Sequence, residues 1–130
     1  MTNDELRRLI RGKTLVMEDQ LGFWKVQHRE RAIWIITNEE HNRMRIMTPV
    51  VEDDTLERPH LWALLSANFD RAIDAKYAVS RGYLWSLFMH PLKSLKGDQF
   101  LDALEQVATL ADNYGLSYAS SSMVFGGEGN

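Results

Sequence analysis

The sequence contains no cysteine, which excludes a disulfide framework, a thiolate metal site and a cysteine nucleophile, and fits a reducing compartment. It also lacks a basic excess. Fifteen Lys and Arg against eighteen Asp and Glu leave a net charge of -3, and the pI is near 5.8. A general nucleic-acid binder needs a basic face to displace counterions, so no nucleic-acid partner is expected. No apolar run approaches the roughly 20 residues that span a bilayer. The opening "MTNDELRRLIRG" has no apolar core of signal-peptide length, so the expectation is a cytoplasmic protein with no membrane partner. There is no internal repeat.

What is present is an ordinary globular composition, 45% hydrophobic over 130 residues. A chain of this size buries about two thirds of its unfolded surface in one core. We read residues 1–115 as a single α+β domain and 116–130 as a Ser/Gly-rich, partly flexible tail, on which Tyr118, Met123, Val124 and Phe125 are the residues able to dock.

Thr2 and Glu5 have capping-box spacing, Leu6, Leu9 and Ile10 form a stripe, and Gly12 is a helix stop. Residues 13–22 read as either a loop or a frayed strand. Strands follow at 23–27, 32–37 and 43–50, joined by short polar connectors in a meander. Pro49 suits a strand end better than its middle. "RPHLWALLSANFDRAID" (58–74) reads as a second helix, with Asp53 and Asp54 near its positive end. Its apolar arc, which includes Trp62, Leu65 and Phe69, is wider than one sheet requires. A hairpin with Gly82 at its turn joins 75–80 to 83–90. The last helix (97–115) carries a stripe of Phe100, Leu104, Val107, Ala108, Ala111 and Tyr114. Its wet side is Gln99, Asp102, Glu105, Gln106, Thr109 and Asp112, and Gly115 is its stop.

The order is therefore α-β-β-β-α-β-β-α, with helices packed against one antiparallel sheet. This order, with the stretches "NRMRIMTPV", "LWALLSANFDRAIDAKYAV", "GYLWSLFMHPL" and "FLDALEQVATLADNYG", resembles the fold of type III secretion chaperones. More closely, it is similar to the YbjN-type bacterial proteins that share that fold. The likeness covers roughly residues 20–115 and brings no catalytic motif. It implies a small, acidic, usually dimeric protein without enzymatic activity. The secretion chaperones hold an extended segment of a partner protein, and roles in regulation or stress are proposed for the YbjN-type group.

The candidate chemistry is sparse. His28, His41, His60 and His90 lie on separate elements or turns, none with the i+3 or i+4 partner that puts two metal ligands on one helix face. No metal and no cofactor are expected. Asp70 and Asp74 share a helix face, but Arg71 and Lys76 beside them describe an ordinary wet helix end. Ser120, Ser121 and Ser122 lack the strand-turn-helix setting of a nucleophile elbow, and "GGEG" (126–129) lacks the Lys of a phosphate loop. No catalytic residue is assigned.

Arg43 and Arg45 share a strand face and are candidate anion ligands, with Arg29 and Arg31 in the preceding turn region as further members of a basic patch. The aromatic residues are more telling. "YLWSLFMHPL" (83–92) is apolar on both faces. One sheet with helices on one side leaves its other side open, and a second copy or a partner segment would close it. Trp62, Leu65, Phe69, Trp85, Leu87 and Met89 are the candidate residues of that interface, since interfaces favour Trp, Phe and Met. The expectation is a homodimeric module for an unknown protein partner. The alternative is a small-molecule or anion-binding regulatory domain that uses Arg43 and Arg45.

Overall fold

Thr2 begins the chain's first helix as expected. In the computed structural model, which describes residues 1–120, its hydroxyl accepts from the Glu5 N–H while the Glu5 carboxylate accepts from Thr2 N–H. The helix α1 (Asn3–Lys13) buries Leu6 and Ile10 completely. It runs through Gly12 and stops at Thr14, where the chain turns extended into the first strand.

That strand, β1 (Leu15–Gln20), adds a fourth to the three expected before the second helix. It pairs with β2 (Phe23–His28), followed by β3 (Arg31–Asn38), β4 (Arg43–Glu52), α2 (Arg58–Asp70), β5 (Lys76–Ser80), β6 (Tyr83–His90) and α3 (Gly97–Asp112). All six strands form one antiparallel sheet in the order β1-β2-β3-β4-β6-β5. The expected α+β arrangement therefore holds, extended by one edge strand.

Three local expectations are corrected. Pro49 lies inside β4, which continues to Glu52; the register shifts between Pro49 and Val51, so a bulge accommodates the missing N–H. Helix α2 ends at Asp70, four residues early, and Asp53 and Asp54 form a separate 3-10 turn with Thr55. Helix α3 ends at Asp112, and Gly115 takes its positive φ of 79° in the turn beyond.

Helices α1 and α3 cover one face of the sheet. Inward-facing Trp24, Ile33, Ile35, Met44, Ile46 and Leu84 are buried beneath them, against Phe100, Leu104 and Val107 of α3. The polar residues on this face are satisfied: the Ser86 hydroxyl donates to the Val107 carbonyl at 2.8 Å, and Thr48 to the Ala32 carbonyl at 2.9 Å. Tyr77 donates to the Leu110 carbonyl at 2.7 Å, and burial pushes its phenol well above the ordinary range.

Gln106 departs from the wet side expected of it and is 5% exposed. The connection from α2 to β5 folds over it. Its side-chain oxygen accepts from the Asp74 and Ala75 N–H groups at 2.9 and 3.1 Å, and its amide donates to the carboxylates of Asp74 and Asp102. Tyr118 docks, stacking edge-on with Tyr77 and Tyr114, and the Ser120 hydroxyl accepts from Ile73 N–H at 2.8 Å. Met123, Val124 and Phe125, like Ser121, Ser122 and the 126–129 stretch, lie outside the described residues.

Candidate functional site

The inner face of β6 is closed by α3; among the described residues, no helix lies over its outer face. Because side chains alternate along each strand, register alone lists what lies there. One cross-strand row runs Glu18, Lys25, Trp34, Met47, Leu87, Lys76 over all six strands. A second sets Ile36 against Arg45 and Arg45 against Met89. Lys25 places its ammonium 5.3 Å from the Trp34 ring centroid, a cation–π contact. Trp85 donates its indole N–H to the Ser80 carbonyl at 2.9 Å, which fixes the ring over the β5–β6 hairpin.

A trough of about 640 Å³ follows this face. Met47, Trp85 and Leu87 line its middle, Arg43 and Arg45 one part of the rim, and Arg81 from the β5–β6 turn another. No carboxylate lines it.

The second apolar surface is on α2. This helix buries only Leu64 and Ala67. Trp62, Leu65 and Phe69 stand outward at 75%, 69% and 85% exposure. A helix that buries so little and exposes two aromatic rings is the feature of this fold that most needs explaining. Beside the buried Leu64 and Ala67, polar bonds hold α2 to the sheet. Asn68 accepts from Tyr77 N–H at 2.8 Å and donates to the Tyr77 carbonyl at 2.9 Å, occupying the outward edge of β5. Lys76, directly opposite Leu87 on the sheet, donates to the Asn68 and Ala72 carbonyls at the end of α2.

The six interface residues proposed from sequence thus occupy two surfaces. Trp62, Leu65 and Phe69 form the α2 face; Trp85, Leu87 and Met89 belong to the open sheet face. Arg43 and Arg45, read as a separate anion site, share the sheet face with the second trio. Met47 belongs there by the parity of β4. Arg81 was missed, because a turn residue has no strand parity to place it.

Arg29 and Arg31 are not part of this patch. The β2–β3 turn lies beside α3, where Arg29 donates to Glu105, Thr109 and Asp112, and Arg31 to Asp112 at 2.7 Å. His28 shares Glu105 at 2.6 Å. Exposed pairs of this kind contribute little individually, but together they hold a turn whose Arg29 and Glu30 both take positive φ. On α1, the Arg11 guanidinium, 2.6 Å from Asp19, holds that carboxyl below its usual range, and Arg7 adds to the effect.

The remaining histidines are local. His60 accepts from Glu57 N–H at the start of α2, His90 lies 2.8 Å from the Pro91 carbonyl, and His41 lines the trough. Among the described residues, no three His, Cys, Asp or Glu side chains converge as metal ligands, and no helix is long and apolar enough to cross a membrane.

No family model and no curated protein sequence matches this chain. Solved structures do. The HopA1-SchA chaperone-effector complex aligns with a TM-score of 0.64 at 10% identity, covering 84% of this chain and 88% of that one. The Yersinia pestis type III secretion chaperone SycH, solved with a stable fragment of YscM2, gives 0.61 at 13% identity, over 85% and 94%. An uncharacterized protein from Methanothermobacter thermautotrophicus gives 0.63 at 8% identity, over 91% and 94%. At such identities what is shared is the fold, and it is the type III secretion chaperone-like fold.

Proposed function

We propose that this chain is a non-enzymatic protein-interaction module, chaperone-like or regulatory, that forms a homodimer and binds a segment of another protein. On this reading it is a bacterial cytoplasmic protein of the YbjN type. The observation that carries it is the exposure of Trp62, Leu65 and Phe69 on one helix, together with a second apolar surface on the open sheet face. Neither surface has the nucleophile, base and orienting group that catalysis needs. Two surfaces suit two tasks: the α2 face pairs with its copy across a two-fold axis, and the sheet face stays available to a partner segment. Support from the fold comes by analogy, since folds of this kind were solved as chaperone complexes.

Light scattering across a dilution series tests the pairing. A mass near twice 15.0 kDa that survives dilution is expected; a stable monomer would remove the dimer from the reading.

The trough supports a second reading, a small-molecule or anion-binding regulatory domain that uses Arg43 and Arg45. It predicts a phosphate-dependent rise in melting temperature that disappears in an Arg43→Ala, Arg45→Ala variant.

A further inference from the structure

The trough on the open sheet face has a charge pattern that specifies its occupant. Arg43, Arg45 and Arg81 are exposed, and no carboxylate lies among the lining residues. None of the three pairs with an acid among the described residues, whereas Arg7, Arg11, Arg29 and Arg31 all do. The carboxylates nearest the strip, Glu52 opposite Tyr83 and Asp53 beside Gly82, border its Arg81 end, and the lining itself holds none among the described residues.

The arginines stand at opposite ends. Arg45 pairs across the sheet with Met89, whereas Arg81 adjoins the Ser80–Tyr83 pair that closes the hairpin. From Tyr83 to Met89 is six residues of β6, or roughly 20 Å at ~3.3 Å per residue. Between these ends lies the floor of Met47, Trp85 and Leu87. An extended chain of about six or seven residues has that length. A single small anion meets only one end.

We propose that the trough takes an extended protein segment with carboxylates at both ends and apolar side chains between them. The apolar side chains lie on the floor, and each acidic end meets a guanidinium. This rests on the reading of the chain as a binder of a protein segment, and adds what kind of segment.

The test uses the full chain and three peptides labelled on an N-terminal glycine spacer, fluorescein-GEEVLVEE-amide, fluorescein-GQQVLVQQ-amide and fluorescein-GKKVLVKK-amide, followed by anisotropy at low and high salt. The acidic-ended peptide is expected to bind about fivefold more tightly than the glutamine-ended one, as an exposed ion pair contributes up to about 1 kcal/mol, which corresponds to about fivefold. High salt should narrow the gap. Arg45→Gln and Arg81→Asn should each weaken binding about twofold to fivefold, while Arg8→Gln on α1 leaves it unchanged. Asparagine is chosen at 81 because Arg81 has a φ of 51°, a region Asn tolerates. All these side chains are exposed, so unchanged circular dichroism and melting temperature accompany a genuine binding loss.

Equal affinity for the glutamine-ended peptide overturns the acidic-end inference and leaves segment binding standing. Binding of none of the three overturns the inference and the reading of the sheet face together. If inorganic phosphate alone binds through Arg43 and Arg45 while every peptide fails, the trough is an anion site.

Discussion

Serine in place of both Trp62 and Phe69 is expected to split the proposed dimer without disturbing the protomer. These rings are 75% and 85% exposed and contribute little to the monomer core, so circular dichroism and the unfolding transition of the single chain should be retained. In the pair they are the residue types that dominate interface energies, where loss of each such anchor costs about 2 kcal/mol or more. Two together raise the dissociation constant on the order of a thousandfold. The light-scattering mass should fall from twice 15.0 kDa to 15.0 kDa at micromolar concentration. A double variant that keeps the doubled mass would move the dimer interface away from α2, and the open sheet would be the next place to look.

The largest expected loss of stability from one substitution outside the apolar core is at Gln106. Leucine has similar volume but leaves the Asp74 and Ala75 N–H groups without their acceptor, and Ala75 is completely buried. A buried donor left unpaired costs about 1–3 kcal/mol, so Gln106→Leu should destabilise by about 2–4 kcal/mol and lower the melting temperature by roughly 10 °C. Gln106→Glu separates the two halves of the role. It keeps the acceptor for both N–H groups, but replaces the donor that faces Asp74 and Asp102 with a third carboxylate. Its deficit should be largest at neutral pH and shrink on acidification, as protonation restores a donor. If Gln106→Leu melts with the parent, the clamp on the α2–β5 connection has no energetic role.

Much of the architecture was readable because local chemistry and burial agree. The Thr2–Glu5 capping box, the stripe on α3 and the two-sided apolar character of β6 all point to what forms. β1 gave a weak signal for a physical reason: it is an edge strand, exposed at nearly every position, and a bulge at Met17 breaks its alternation. Gln106 was misplaced because helical periodicity places residues around an axis and knows nothing of a loop folding over from elsewhere. The same limit governed the site. Parity put Arg43, Arg45 and Met47 on one face, but only register across strands brings that face together with Trp85 and Leu87. Arg29 and Arg31 looked like neighbours of Arg43 in sequence, yet the turn that carries them reaches the carboxylates of α3.

The polar grip of Asn68 on β5 also bears on how this sheet can and cannot grow. Tyr77 has both backbone groups engaged by that side chain, and Ala75 N–H is held by Gln106, so a strand arriving at β5 must first displace an existing ladder. Among the described residues, no side chain grips the backbone of β1 in this way; the edge presents its bulge and its acidic residues. Continuous polymerisation through strand pairing needs two accepting borders, and among the described residues Asn68 and Gln106 occupy one of them. Two copies joined through β1 would bury that border in each other, which ends strand-by-strand extension at a pair. Strand-by-strand growth at β5 is thereby opposed by Asn68 together with Gln106.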